Sequence, residues 1–397
     1  MPLNTFRYSL PDDIESAVRE ELAAWNEKVP RVWAKDASVW TNDDEAKWLG
    51  WLDIVGEELG DLQKYKDLAD DAEQFDTVVL LGMGGSSLCP EVLSITFGKC
   101  DFHILDSTVP AQVKALEEKI DVTKTLFIVA SKSGSTLEPN CFKQYFFDRV
   151  AQTTDTPGNQ FVAITDPGSK MEQVAKADGF RHIFYGRPEI GGRFSALSVF
   201  GMCAAAAMGI DVETFLKNAN EMVEACSRTN DNPGVILGTI LGVCHKLGRD
   251  KLTIFTSPEI YDLGAWLEQL IAESTGKNGV AIIPVDREHI VPADHYGNDR
   301  VFVYLSVDGP RTSTSTSVST ASGSDRGGSD DSHILALHAL EAAENPVIRI
   351  TLSGETATVM QRTETAAIYT LGQEFFRWEF ATAVAGSIMG INPFNQP

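Results

Sequence analysis

Two apolar runs in this chain end in short segments of glycine and hydroxyl residues, which are residue types that bind oxyanions. Thr77–Leu81 leads into Gly82-Met83-Gly84-Gly85-Ser86-Ser87, and Thr125–Ala130 leads into Ser131-Lys132-Ser133-Gly134-Ser135-Thr136. Glycines let backbone N–H groups approach a ligand closely, hydroxyls donate hydrogen bonds, and the N-terminus of a following helix adds partial positive charge. Two such loops suit the phosphate of a small molecule better than a dinucleotide. The pattern therefore indicates a phosphosugar ligand.

The segment Gly191-Gly192-Arg193-Phe194-Ser195 is a third candidate site element. Paired glycines bring the arginine close to the backbone, where its rigid fork of donors can hold an oxyanion. An exposed surface turn is the alternative interpretation of the same residues.

A fourth element lies in the helical run 266–276, where Gln269 and Glu273 are four residues apart and so share one face. Glu268 lies on a different face and is expected to be solvated. The apolar neighbours of Glu273 predict partial burial, which favours a role as general base. A surface glutamate near a helix end is the alternative.

The first glycine loop also permits a dinucleotide interpretation. Gly82 and Gly84 fit the first two glycines of a dinucleotide-binding loop, and Asp106 follows Gly82 by 24 residues, near the distance expected for a ribose-binding acid. However, Ser87 occupies the third glycine position, and a dinucleotide fold has no use for the second loop.

Alternating strand and helix patterns position these elements. From Thr77 onward they predict a five-stranded doubly wound α/β unit, and a second α/β pattern begins at Leu252, with a strand at Val280–Ile283. We predict a helical N-terminal extension over 1–73, a first α/β domain over 74–247 and a second over 248–397. The Ser/Thr/Gly-rich segment 310–332 is predicted to be an exposed flexible loop.

Composition limits the classes of function. Of the 397 residues, 43% are hydrophobic, which is enough to form large cores. The net charge of −23 argues against nucleic-acid binding, which relies on basic surfaces. No apolar run reaches membrane-spanning length, the first ten residues lack a signal-peptide core, and the six scattered cysteines are typical of a reduced cytoplasmic protein. The seven histidines form no HxH or HExxH pair and the chain has no GxSxG elbow, so we expect no metal site and no serine nucleophile.

Five motifs occur in the order GMGGSSL, SKSGSTLE, GGRFS, EQLIAESTGK and GINPFNQP. From about Trp33 to its end, the chain thereby resembles the phosphoglucose isomerase family, especially the isomerase half of bacterial transaldolase–phosphoglucose isomerase fusions. The resemblance implies two sugar-isomerase (SIS-type) α/β domains. It also implies reversible isomerisation of glucose 6-phosphate to fructose 6-phosphate through a cis-enediolate, with no cofactor.

The resemblance assigns roles to residues by position. It places the phosphate on Ser86, Ser131, Ser133 and Thr136, in loops that also contain Gly85, Lys132, Gly134 and Ser135. Arg193, next to Gly192, would stabilise the enediolate, Glu273 would move the proton between C1 and C2, and Gln269 would contact the sugar or the phosphate.

The chain departs from the family in the residues that open the sugar ring. The family's lysine follows the segment that matches Gly390–Pro397, where this sequence ends, so the second domain is expected to lack its final elements. His295 follows Glu273 by 22 residues, a spacing similar to that of the histidine in stand-alone bacterial isomerases, although its neighbours differ. An exposed loop histidine is the alternative.

Two other functions stay open at this point, a phosphosugar-binding protein without turnover and an NAD-dependent dehydrogenase. For the isomerase we expect a cytoplasmic location, a sugar phosphate substrate, no nucleic-acid or membrane partner and a homodimer. A transaldolase domain is expected only in the fused relatives.

Overall fold

The computed structural model describes residues 2–308, 330–353 and 364–396. Within these ranges the strands are β1 (Thr5–Ser9), β2 (Thr77–Leu81), β3 (Phe102–Leu105), β4 (Thr125–Ala130), β5 (Phe161–Thr165), β6 (His182–Tyr185), β7 (Lys251–Thr256), β8 (Ile283–Asp286), β9 (Arg300–Val307) and β10 (Val347–Leu352). The α-helices are α1 (Asp12–Trp33), α2 (Ile54–Leu59), α3 (Gln63–Ala72), α4 (Leu88–Thr96), α5 (Pro110–Lys119), α6 (Leu137–Ala151), α7 (Lys170–Ala177), α8 (Val199–Ala207), α9 (Val212–Cys226), α10 (Pro233–Lys246), α11 (Leu263–Thr275), α12 (Asp330–Ala342), α13 (Glu364–Tyr369) and α14 (Leu371–Met389).

The chain forms two compact units. Asp44–Lys217 and Phe394–Pro397 form one, here called the loop unit, and Met1–Asp43 and Asn218–Pro393 form the other, here called the α11 unit. Each unit contains one five-stranded sheet, which confirms the predicted α/β fold class.

The sheet of the loop unit has the order β3-β2-β4-β5-β6, and all its strand pairs are parallel. Every residue of β4 and β5 is buried, as their uninterrupted apolar sequences predict. Phe127 packs against Phe146 and Phe161 with ring centroids 5.0 Å apart in both pairs. This aromatic core fixes the strands whose carboxyl ends carry the two candidate loops.

The sheet of the α11 unit has the order β1-β10-β9-β7-β8, with only β1 antiparallel to its neighbour. On α10, Gly234, Gly238 and Gly242 repeat every four residues, and a Cβ at each position would overlap α14 side chains. The glycine stripe therefore lets α10 and α14 pack closely. α11, which carries Gln269 and Glu273, follows β7 in this unit.

The structural units divide the chain differently from the predicted ranges 1–73, 74–247 and 248–397. Residues 1–43 belong to the α11 unit, and their first element is the strand β1, although a helical extension was predicted. β1 pairs with β10, more than 300 residues away, so no local pattern marked it. Most of the predicted loop 310–332 lies outside the described residues, and residues 330–332 begin α12.

Candidate active site

The first candidate loop leaves β2 and turns through a short 3₁₀ segment, Gly84–Ser86, before α4 begins. Gly84 has a φ of +54°, a left-handed conformation that favours glycine. Gly85 is needed for a different reason, because a Cβ at this position would lie 2.5 Å from the carbonyl carbon of Gly192. The close backbone approach predicted for this loop is therefore made to another segment of the chain, the one that carries Arg193.

The second candidate loop leaves β4 with Ser131, which is only 3% exposed and whose Oγ has no hydrogen-bond partner among the described residues. Ser133 and Ser135 are exposed, their Oγ atoms lie 2.7 Å apart, and the Ser135 N–H donates to Ser133 Oγ at 3.1 Å. Thr136 is exposed at the N-cap of α6, and its side chain makes no capping bond to that helix. Hydroxyl residues thus lead directly into a helix N-terminus, which is an arrangement suited to an anion.

Gly134 shapes this second loop. Its φ is +65°, and a Cβ there would lie 3.1 Å from Met171 Cα and closer still to the Met171 nitrogen. Asn140 Nδ2 donates to the Gly134 carbonyl at 3.0 Å, which fastens the loop to the first turns of α6. The loop is thereby held between α6 and α7.

Lys132 is the only cation of the second loop, and its ammonium group faces the protein. Its Nζ lies 2.7 Å from Asp166 Oδ2 and 2.7 Å from the Arg187 carbonyl oxygen. Sequence reasoning did not identify Asp166 or Arg187. Both residues closely follow strands of the same sheet, and this position is the signal that could have identified them.

Arg193 is 2% exposed and lies in a 3₁₀ segment, Gly192–Phe194. Its Nη2 donates to the carbonyl oxygens of Phe394 and Asn395 at 3.0 and 2.9 Å. The chain end thus returns to the loop unit and fixes the guanidinium group.

An aromatic cluster holds the returning segment beside Arg193. Ring centroids lie 5.3 Å apart for Trp51 and Phe194, and 5.3 Å apart for Phe194 and Phe394. Buried aromatic pairs of this kind stabilise a fixed arrangement by more than their buried area alone. Phe394 and Asn395 of the last motif therefore contribute packing and carbonyl acceptors to the Arg193 region.

The loop unit thus brings three of the four predicted elements together. The first loop contacts the Arg193 segment through Gly85 and Gly192, and the second loop reaches the start of that segment through Lys132 and Arg187. Neighbouring strands β2 and β4 carry the two loops at the same edge of the sheet.

The fourth element, α11, lies in the α11 unit. Gln269 Nε2 donates to Glu273 Oε1 at 3.0 Å, so the two side chains share one face as predicted. Glu268 is exposed, also as predicted, but Glu273 is exposed as well, although partial burial was predicted. The Gln269 bond orients the Glu273 carboxylate while leaving it accessible.

An acidic cluster that sequence reasoning missed surrounds the N-terminus of α11. Arg287 Nη2 donates to Asp262 Oδ1, and Arg287 Nε lies 3.2 Å from Asp286 Oδ2. Burial raises the pKa of the Asp286 carboxyl to about 6, and the Arg287 charge opposes that rise only in part. Asp286 also lies against Gly264, where a Cβ would overlap its carboxyl group.

His295 lies in a 3₁₀ segment, Ala293–His295, before β9, and its side chain is 64% exposed. Its Nδ1 lies 3.0 Å from Asp294 Oδ1. The structure therefore places His295 on the surface of a loop.

A metal site and a membrane-spanning helix are both missing from the part of the chain that the structure describes. There, no group of three or more histidine, cysteine or acidic residues is arranged to hold a metal ion. No helix in that part combines the length and apolar character needed to span a bilayer.

Comparison with known proteins gives one consistent family. A phosphoglucose isomerase family model matches residues 66–291. A probable glucose-6-phosphate isomerase of Methanococcus maripaludis is 26% identical over 372 residues, which cover 88% of this chain and 81% of that protein. The glucose-6-phosphate isomerase of Methanocaldococcus jannaschii is 29% identical over 244 residues, but the match covers only 60% of this chain and 58% of that protein.

A solved structure shares the fold. The crystal structure of a glucose-6-phosphate isomerase from Chlamydia trachomatis superposes with a TM-score of 0.72 at 20% identity, covering 98% of this chain and 85% of that one. Because the family model spans more than half of the sequence and includes both glycine-rich loops, Arg193 and Glu273, the chain belongs to the phosphoglucose isomerase family.

Proposed function

We propose that this protein interconverts glucose 6-phosphate and fructose 6-phosphate by proton transfer through a cis-enediolate. The observation that carries the proposal is the second loop, where hydroxyl residues lie between the end of a buried parallel strand and the N-terminus of α6. Membership of the phosphoglucose isomerase family supports the same substrate class.

The phosphate is assigned to Ser131, Ser133, Ser135 and Thr136, with Gly85 and Ser86 on the adjacent loop. The hydroxyl of Ser131 is buried without a partner among the described residues, so a ligand oxygen would satisfy it. The exposed hydroxyls and the first N–H groups of α6 supply further donors. This donor set binds an anion without a cation in direct contact.

Glu273 is assigned as the base. In the open-chain aldose its carboxylate takes the proton from C2, and the electron pair left behind forms the C1–C2 double bond while O1 becomes negatively charged. Glu273 then returns its proton to C1, and the hydroxyl proton on O2 moves to O1, which leaves a ketone at C2. The Gln269 amide, 3.0 Å from Glu273 Oε1, orients the carboxylate for both transfers.

Arg193 is assigned to the developing enediolate charge, and His295 to ring opening. The Nη2 bonds to Phe394 and Asn395 hold the Arg193 cation in one place, and a fixed charge needs no reorganisation during the reaction. His295 is assigned on its spacing from Glu273, and its exposure leaves it accessible to a sugar. The isomerisation is an internal redox exchange between C1 and C2, so it requires no cofactor.

The test is a coupled isomerase assay on wild type, Glu273→Gln and the matched control Glu268→Gln. Glutamine keeps the shape of the side chain but cannot accept the proton, so we expect kcat to fall by about 10²–10⁴-fold in Glu273→Gln. Exchange of solvent tritium into the sugar should fall in parallel. Glu268 is exposed on another face of α11, and its substitution should leave both rates unchanged.

Two outcomes contradict the proposal. Undiminished exchange in Glu273→Gln would remove Glu273 as the base. Tight sugar phosphate binding by the wild type with neither turnover nor exchange would identify a phosphosugar-binding protein.

A further inference from the structure

Asp166 directly follows β5 and occupies a central position at the edge of the sheet that carries the phosphate loops. The sheet order places β5 between β4 and β6, so Asp166 lies between the loop after β4 and the segment after β6. Its backbone N–H donates to the Lys132 carbonyl at 3.0 Å, and its Oδ1 and Oδ2 lie 2.9 and 2.7 Å from Lys132 Nζ. Main chain and side chain of Asp166 thus both hold Lys132.

A further hydrogen bond from Lys132 connects it to the segment that follows β6. Its Nζ donates to the Arg187 carbonyl at 2.7 Å, and Arg187 begins the segment that leads to Arg193. An ammonium group has three N–H donors, and three protein oxygens surround this one within 2.9 Å. Two of the three donors of Lys132 are therefore bonded to protein oxygens, and its charge is paired with the Asp166 carboxylate.

The connection is tightly enclosed. A Cβ at Gly186 would lie 2.6 Å from Asp166 Oδ1 and 2.7 Å from Phe200 Cε2, so only glycine fits beside the carboxylate. The side chains of Lys132 and Asp166 are 23% and 18% exposed. An ion pair largely withdrawn from water is weakly screened, and loss of one partner leaves the other charge poorly solvated.

Thr165, the last residue of β5, also hydrogen-bonds to the second loop and to the segment after β6. Thr165 Oγ1 donates to the Ser131 carbonyl at 2.7 Å, and the Gly186 N–H donates to the Thr165 carbonyl at 2.8 Å. The ends of β4, β5 and β6 therefore form one connected structure, and the Lys132–Asp166 ion pair joins the loop after β4 to the end of β5.

We propose that Asp166 is a positioning residue for the isomerase reaction, which holds Lys132 so that the phosphate loop and the Arg193 segment keep one geometry. Lys132 acts through this connection and makes no direct bond to the phosphate. The proposal rests on the proposed function for its effect on turnover. Its effects on phosphate affinity and backbone dynamics do not depend on that function.

The experiment compares Asp166→Asn, Lys132→Met and the double variant with the wild type. We measure kcat with glucose 6-phosphate, the Kd of inorganic phosphate, and hydrogen exchange of the amides in 131–137 and 187–193. Both single variants should lower kcat by about 10–100-fold, the effect of a misplaced site group, and both should weaken phosphate binding. The double variant should be no worse than either single variant, because both changes break one connection.

Controls separate positioning from general damage. Glu213→Gln removes an equal charge from an exposed ion pair with Lys217, 2.7 Å apart, and should change none of these quantities. Lys132→Arg can still pair with Asp166 and should retain more of kcat than Lys132→Met. Faster exchange should be confined to the two named segments.

A direct phosphate contact from Lys132 gives opposite results and would overturn the proposal. Asp166→Asn would then release the lysine toward the anion and tighten phosphate binding, Lys132→Met would weaken it, and exchange at 187–193 would not change. If Asp166→Asn does not fold, Lys132→Met still separates the two interpretations. Faster exchange at 187–193 indicates positioning, and unchanged exchange there indicates direct phosphate contact. If the wild type has no isomerase activity, the proposed function fails, whereas phosphate affinity and exchange still test the connection.

Discussion

The contact between Gly85 and Gly192 gives the sharpest prediction, because it joins the first glycine loop to the segment that carries Arg193. In Gly85→Ala the added Cβ would lie 2.5 Å from the Gly192 carbonyl carbon and 3.1 Å from its Cα. Carbon atoms pack favourably at about 3.5–4.0 Å. The two backbones must therefore separate by about 1 Å, and Arg193, the next residue in the chain, must move with them.

The expected consequence is a large loss of rate with a smaller loss of stability. A displacement of about 1 Å in a catalytic group costs about 10²-fold in rate, whereas an overpacked contact costs about 1–3 kcal/mol of stability. We therefore expect kcat to fall by about 10²-fold in a protein that still folds. The coupled isomerase assay measures the rate, and urea denaturation of the same sample measures the stability.

Gly56→Ala is the matched control for Gly85→Ala. A Cβ at position 56, in α2, would meet no atom within 4 Å, so this change should leave kcat unaltered and stabilise the helix by about 0.5–1 kcal/mol. A Gly85→Ala protein with the kcat of the wild type would refute the reasoning, because it would show that the separation of the two segments does not matter to the chemistry.

Two further predictions follow from the loops and from the acidic cluster. Ser131→Ala and Thr136→Ala should each raise KM with little change in kcat, because phosphate contacts are equal in ground and transition states. Steady-state kinetics test this prediction. An unchanged KM in both variants would remove the phosphate assignment. Asp286 has a folded pKa of about 6 against 3.8 for an ordinary aspartate, so the folded state binds this proton more tightly than the unfolded state. The free energy of unfolding of wild type relative to Asp286→Asn should therefore fall by up to about 3 kcal/mol as pH rises from below about 4 to above about 6, and urea denaturation across this range would contradict the cause if the difference stayed constant.

The parts of the fold that sequence predicted well are those with strong local signals. Thr77–Leu81 and Thr125–Ala130 are continuous apolar runs that end in glycine and hydroxyl residues, and both are strands with the predicted bounds. The i, i+4 spacing of Gln269 and Glu273 was sufficient to place them on one helical face. Such features depend only on residues within a few positions of each other.

The parts that sequence missed depend on distant partners. β8 occupies Ile283–Asp286, whereas a strand was predicted at Val280–Ile283, because pairing with β7 sets its register. The positions of Lys132 and Arg193 were predicted from glycine-rich motifs, but their partners, Asp166 and the carbonyls of residues 394 and 395, lie 34 and about 200 residues away. A periodicity analysis cannot show which strand end will face which loop.

The strongly negative net charge constrains how this chain could bind a phosphate. It is also the reason that we assign the phosphate to one unit alone. With a net charge of −23 the protein repels anions at long range, so attraction has to come from short-range dipoles and hydrogen bonds. In the loop unit, the N-terminus of α6 is preceded by Thr136 and by serines whose hydroxyls could donate to an anion. In the α11 unit, α11 also follows a parallel strand, but the carboxylates of Asp262 and Asp286 lie at its N-terminus. Those carboxylates take the position that favours negative charge, and a phosphate arriving there would meet repulsion.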